Sequence, residues 1–393
     1  MTGYTLSRRS FLGRTLLGTA CSLAASPLVT PVVLAETPGE NRLVVIILRG
    51  GMDGLGVVQP YGDAGLSALR PGLGHRPGNG ITDLDGFFGL ADPFADLLPL
   101  WRAGELGFVQ AVSTPYRNKR SHFDGQDFLE NGGNKSDGQL TPGRDGWLNR
   151  ALSLIPGARA DTAMAVGQDN LLILNGDAPT GAWSPTNELS LADDERRLLS
   201  LLYANDPLFA KALRGAERLS ERTGPGAARE TGRTLAQFTA EQLNGPSRIA
   251  AFSLGGWDTH KKQNNALLRP AKQLTQALLE LRSGLGRNWD RTAVIAITEF
   301  GRTARENGSG GTDHGTGGAM MLAGGALRGG KIFGTWPGLG EGALYQNRDL
   351  MPTDDVRRYA AWALAGTMGL NRSSLSETVF PGVDLGGDPG IIA

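Results

Sequence analysis

The chain is poor in the side chains that make covalent and soft-metal chemistry. Its 393 residues include one cysteine and four histidines. The lone cysteine, Cys21, lies in an N-terminal segment with the character of an address, so the remaining chain has neither a disulfide nor a thiolate ligand. Any metal site must be built from oxygen and nitrogen. Charge of either sign is also not in excess: 39 basic residues balance 39 acidic ones. That balance excludes the strong one-signed field by which proteins gather nucleic acid or anionic membrane. Glycine is the residue in surplus, at 58. It clusters in short loops between apolar runs, which predicts many tight connections.

The N-terminal stretch LSRRSFLGRTLLGTACSLAASPLVTPVVLAE has a basic start, an uncharged apolar run and small residues ending at Ala35. Pro27 and Pro31 argue against a permanent membrane span. Arg8-Arg9 within Ser-Arg-Arg-Ser-Phe-Leu resembles the twin-arginine export signal. The resemblance implies passage through the twin-arginine translocase in folded form and a periplasmic or secreted destination. Cys21 as a lipidated cysteine is disfavoured, because Gly18 stands where a large aliphatic residue is preferred. The expected organisation is a signal over residues 1–35 and one α/β domain over 36–393.

Residues 43–48 are continuously apolar and β-branched, as in a strand buried on both faces. Further strands are expected at 106–112, 248–254, 292–298 and 318–325, and two short apolar runs lie at 163–166 and 171–174. Helical periodicity marks 146–155, about 265–283 and about 354–368, the last with Asp354 as its N-cap. From 191 to 244 the apolar residues fall three and four apart, with Gly-Pro-Gly at 224–226, which predicts a helical insertion. Strand and helix otherwise alternate. That pattern predicts a doubly wound, mainly parallel sheet with helices on both faces. Such sheets collect ligands outside the C-terminal ends of their strands.

Asp53 follows the first strand, Asp258 and His260 follow the strand ending near 254, and Glu299 and Arg302 follow 292–298. A glycine-rich loop carries Asp313 and His314 into the next strand. Carboxylates and imidazoles from several strand ends thus converge on one edge of one sheet. Residues two apart in extended chain point to the same side, so Asp258 and His260 can face one ion. Asp53, Asp258, His260, Glu299 and His314 are the candidate ligands, with His122, Asp313 and Arg302 as further candidates. Oxygen and nitrogen donors suit one or two divalent ions, zinc or manganese first, magnesium or calcium next. Each residue also has a bland role: Asp53 as a turn residue, His260 as surface, Glu299 as a partner of Arg302 or Arg305. His75 is expected in a surface loop. Ser121 is the candidate nucleophile, with helix N-cap as its bland role, and Arg117, Lys119 and Arg120 can hold a small anionic ester. Ser253, in Ala-Phe-Ser-Leu-Gly, is a weaker nucleophile-elbow candidate, because no helix pattern follows it.

The motifs RGGMDGL, SHFDGQDFLENG, DGWLNR, GGWDTH, TEFGRT and GTDHGTGG, in this order, resemble the family called domain of unknown function 1501. That family is grouped with alkaline phosphatases and sulfatases, which implies an alkaline-phosphatase-like core with metal at the strand ends. By this resemblance Asp53 is the metal aspartate after the first strand, Ser121 the nucleophile, Asp258 and His260 a metal pair, and His314 the last metal histidine. The Glu299-Phe300-Gly301 sequence stands where Asp-His-Gly is usual, and phenylalanine cannot ligate. A second ion would then need His122 or Asp313. With no cysteine to convert to formylglycine, a sulfatase of that kind is disfavoured. The expectation is an exported metal-dependent hydrolase of phosphate or sulfate esters. The alternative is a non-catalytic envelope or assembly protein that keeps the fold and one structural ion.

Overall fold

A computed structural model describes residues 39–117, 119–133, 145–184 and 231–393. The segment read as an export signal and most of the expected helical insertion lie outside the described residues.

The first strand, β1 (Arg42–Leu48), is buried along its whole length. It pairs in parallel with β5 (Ile249–Leu254) on one side and β6 (Thr292–Ile297) on the other. A strand in that position has no solvent face, which explains its unbroken apolar sequence. Leu43, Val45 and Ile47 enter one core, and Val44, Ile46 and Leu48 enter the other. Beyond β5 the sheet continues through β3 (Ala163–Val166) and β4 (Gly181–Trp183), both parallel. Beyond β6 come β7 (Gly318–Ala323) and β2 (Leu106–Ser113), with two-residue strands β8 (Ile332–Phe333) and β9 (Asp354–Asp355) along the far side of β2. Only β7 runs antiparallel to its neighbours, so the sheet is mainly parallel, as the alternation predicts. A smaller sheet joins Val58–Gln59, Gly89–Ala91, Gly80–Asp83 and Arg76–Pro77.

Helices α3 (Gly232–Leu243) and α4 (Leu268–Leu285) cover one face, through Leu235, Phe238, Leu274 and Leu281 among others. Helices α2 (Trp147–Ser153) and α5 (Val356–Met368) cover the opposite face through Trp147, Leu152, Tyr359 and Leu364. Helix α5 begins one residue later than its sequence suggests. Asp355, not Asp354, is the N-cap and accepts the Arg357 N–H, because Asp354 and Asp355 first pair with β2. The apolar run at 171–174 closes into one turn of 3₁₀ helix at Leu172–Leu174. No helix among the described residues is long and apolar enough to cross a membrane.

The reversed direction of β7 has a local purpose. Its N-terminal end lies on the edge where β1, β5 and β6 finish, so the loop before it opens onto the same edge. Two glycines make that approach close. The backbone of Gly301 exchanges hydrogen bonds with Thr316 and Gly315. A Cβ on Gly301 would lie 1.9 Å from the Gly317 carbonyl oxygen. The Gly301→Ala variant should therefore lose about 3 kcal/mol or more, the upper end of the cost of overpacking. Gly255→Ala, with nothing within 4 Å of the added carbon, should stay within about 0.5 kcal/mol of the parent. Urea melts of the pair check the contrast.

Candidate metal centre

Two loops and one helix build the site. Helix α1 (His122–Asn131) starts at the N-cap Ser121, whose hydroxyl accepts the Asp124 N–H at 3.4 Å. Its first residue, His122, points at the end of the sheet. The loop after β5 brings Asp258 and His260, and the loop before β7 brings Asp313 and His314.

Each imidazole is held from behind. His122 Nδ1 lies 2.8 Å from Glu299 Oε1, His260 Nδ1 3.3 Å from Asp313 Oδ1, and His314 Nδ1 2.9 Å from the carbonyl of Arg120. An acceptor at Nδ1 places the proton there and leaves the Nε2 lone pair free. All three Nε2 atoms turn toward Asp258 Oδ1, at 3.5, 2.9 and 3.2 Å for His122, His260 and His314. His260 Nε2 and His314 Nε2 are 3.0 Å apart, too close for both to carry a proton. Ligand atoms of His122, Asp258 and His314 lie within 4.8 Å of one another. His122 Nε2 is buried and without a hydrogen-bond partner, a lone pair aimed at a space that a metal ion would fill. Imidazoles braced by outer carboxylates and carbonyls are the usual arrangement around a bound ion. The residues present fit a divalent metal.

Arg120 supplies its carbonyl from a backbone with φ of +53°, a strained value for a residue with a side chain. Arg302 anchors the opposite wall, donating to Asp258 Oδ1 at 2.6 Å from a fully buried guanidinium. Glu299 is also fully buried; besides His122 it accepts the Gly50 N–H, the Thr298 hydroxyl and the Gln126 amide.

These contacts set the charges. Burial alone would raise the Glu299 carboxyl, but the hydrogen bonds from His122, the backbone and Gln126 outweigh it and hold it below the usual range. The bond to Glu299 pushes His122 up against the effect of burial. Burial pushes His314 down, in spite of the Arg120 carbonyl. Burial would raise Asp258, and the bond and charge of Arg302, with His260 and His314, bring it below its ordinary value.

The structure therefore gathers Asp258, His260, His314 and His122, and sets Glu299, Asp313 and Arg302 directly behind them. Asp53 is elsewhere. Its buried carboxylate is paired with Arg70, at 2.5 and 2.9 Å, and accepts from Gln263. Nothing in the local sequence around Asp53 announces Arg70, which lies 17 residues on, just after the short helix Gly65–Leu69. Phe300 is buried, its ring beside those of Tyr116, His122 and His314, so the position without a ligand serves as the floor of the site. Arg117 turns onto the carbonyls of Thr114 and Tyr116. Ser253 donates to Asp169 and is followed by no helix. His75 lies 3.4 Å from Asn264, away from the cluster. The sequence missed Gln126, Thr298 and the Arg120 carbonyl, and only the spacing of Gln126 one helical turn after His122 hinted at a shared face.

Three solved structures illustrate what the chain is similar to. The zinc complex of the C-terminal periplasmic domain of EcEptC from Escherichia coli is 10% identical, with 74% of each chain covered and a TM-score of 0.37. A protein of the alkaline phosphatase superfamily from Vibrio parahaemolyticus is 12% identical, over 79% of this chain and 69% of that one, with a TM-score of 0.35. The PsFucS1 sulfatase from Pseudoalteromonas sp. is 13% identical, over 97% of this chain and 76% of that one, with a TM-score of 0.40. No curated protein matches the chain. Residues 111–378, more than half of the sequence, match the family described as "Protein of unknown function (DUF1501)", and to that family the chain belongs.

Proposed function

We propose that this protein is an exported, metal-dependent hydrolase of phosphate or sulfate esters. The observation that carries the proposal is the set of three imidazoles, each held at Nδ1 and each turning Nε2 toward Asp258. His122, Asp258 and His314, with His260 beside them, would hold one ion, and their donors suit zinc or manganese. Once bound, such an ion supplies Lewis-acid stabilisation of charge on the group being transferred.

The protein's own groups do the rest. Glu299, Asp313 and the Arg120 carbonyl fix the imidazole tautomers. Arg302 keeps Asp258 ionised and oriented. Ser121, between Arg120 and His122, is the proposed nucleophile: its Oγ would bond to phosphorus or sulfur as the ester P–O or S–O bond breaks, the hydroxyl proton passing to solvent and the alcohol leaving, and water would then cleave the seryl ester to release phosphate or sulfate. Its 3.4 Å cap hydrogen bond is long and leaves the hydroxyl available. Asp258 is 45% and His260 37% exposed, so the cluster is open to a small anionic ester from solvent.

A second reading has its own support. His122, His260, His314 and Asp258 make four protein donors, and four donors close a structural site. On that reading the ion braces a non-catalytic exported protein. Export itself rests on Arg8-Arg9 and the apolar run after them.

Elemental analysis of protein prepared without added metal should find about one equivalent of zinc or manganese. His260→Ala and His314→Ala should lose it, and Glu299→Gln should weaken its binding by about 10–100-fold. A folded parent that neither carries nor takes up metal would end the hydrolase reading. Turnover of p-nitrophenyl phosphate or sulfate should fall at least about 100-fold in Ser121→Ala while metal content stays at the parent level. Undiminished turnover there would make water the nucleophile, and no turnover by a metal-loaded parent would favour the structural ion. Replacing Arg8 and Arg9 by lysine should leave the protein in the cytoplasm, seen by fractionation.

A further inference from the structure

A cleft of about 590 Å³ opens beside the imidazole cluster, between α1 and the loop that holds Asp169 and Asn170. Gln126 belongs to both places: its amide donates to Glu299 behind His122, and its carbonyl accepts from Arg49 in the cleft wall. Arg49 follows β1 directly, so the cleft occupies the same edge of the sheet as the cluster.

Among the described residues the wall has one cation, Arg49, and it is committed. Arg49 pairs with the buried Glu130 at 3.0 Å and with Asp169 at 3.4 Å. Glu130 also accepts the Ile173 N–H, which ties α1 to the turn at 172–174, and Ser253 donates to Asp169. With Arg49 paired, no lining residue among the described ones offers a free positive charge to an anion. What the cleft does present is amide and carboxylate groups, from Asp127, Asp169, Asn170 and Asn175, together with the ring of Phe123. Phe123 directly follows His122 and is 83% exposed, one of only two large apolar side chains so placed among the described residues. Amides, which donate and accept, and carboxylates, which accept, together match vicinal hydroxyls, and an exposed aromatic ring offers a flat apolar surface to the C–H face of a saturated ring.

We infer that this cleft is a subsite for a neutral polyhydroxylated group, a glycosyl unit, carried by an ester whose anionic end lies at the imidazole cluster. The assignment of the anionic end rests on the hydrolase reading above; the assignment of the cleft rests on its own lining. The arrangement divides one substrate by charge: the anion goes to the cluster, and the uncharged hydroxylated portion goes to a wall whose carboxylates repel a second anion. Polyanionic substrates are disfavoured for the same reason.

Saturation-transfer NMR and calorimetry on the full metal-loaded chain test this, with methyl glycosides of glucose, galactose, mannose and N-acetylglucosamine as probes. At least one should bind, and Phe123→Ala and Asn170→Ala should each weaken it about tenfold, equivalent to about 1.4 kcal/mol. Both residues are exposed, so neither variant should fail to fold. Absence of binding by every glycoside, or binding unchanged in both variants, overturns the subsite. Hydrolysis of p-nitrophenyl phosphate or sulfate by the parent separates the two claims. Aryl ester turnover without glycoside binding removes the subsite and leaves the hydrolase. Glycoside binding lost in the variants, without any ester turnover, keeps the subsite and removes the hydrolase.

Discussion

Arg302 is wholly buried, and its guanidinium reaches into three loops at once. It donates to the carbonyls of Gly50 and Gly51 after β1, of Trp257 after β5, and of Thr312 before β7, and then to the carboxylate of Asp258. A buried cation is costly unless its donors are satisfied. Here carbonyl dipoles and one carboxylate satisfy it, and the loops that supply them are thereby locked together. Those loops carry Asp258, His260 and His314. The imidazole cluster thus depends on a cation that takes no direct part in it, and lysine, with a compact ammonium in place of a planar fork, would not reach the same set of acceptors.

Glu299 does on the α1 side what Arg302 does on the loop side. One of its oxygens faces His122, Gln126 and the Gly50 N–H, so a single buried carboxylate couples α1, β6 and the turn after β1. The two residues are three apart in the sequence and serve opposite walls of the same site. Between them Phe300 packs under the imidazoles and fills space that would otherwise admit water. The segment Glu299-Phe300-Gly301-Arg302 is consequently a frame, in which one residue braces a histidine, one forms the floor, one permits close passage of chain and one clamps the loops.

Much of this was legible in the sequence because it follows from short-range rules. The strands β1, β5, β6 and β7 stand out as buried apolar runs, and the edge where they end attracts the polar residues that follow them. Asp258 and His260 face the same way, as their two-residue spacing suggests, although the chain there is folded into tight turns in which the His260 N–H donates to the Asp258 carbonyl at 3.1 Å. His122 leaves less trace in the sequence. Its place depends on how α1 docks against β6, and an i to i+177 contact with Glu299 leaves no mark in the local pattern. Asp53 shows the opposite effect. Its position after the first strand matches a ligand, but a guanidinium from Arg70 reaches it first, and that partner is visible only in three dimensions. Glu299 and Asp313 lie behind the imidazoles, each hydrogen-bonded to one of them, and sequence spacing cannot tell a ligand from the residue that orients one.

The antiparallel course of β7 also bears on how the molecule comes together. Because His314 is delivered at the start of that strand, the cluster needs His122 from the first third of the chain and a loop from the last third. The hydrogen bond from His314 to Arg120 spans 194 residues. Contacts of such long sequence separation form late and slowly, after the cost of closing the intervening chain has been met. Any fragment that ends before residue 314 lacks a corner of the cluster, whatever else it has folded. During synthesis the cluster would be completed only near the end, as the strand that runs against its neighbours slots between β2 and β6.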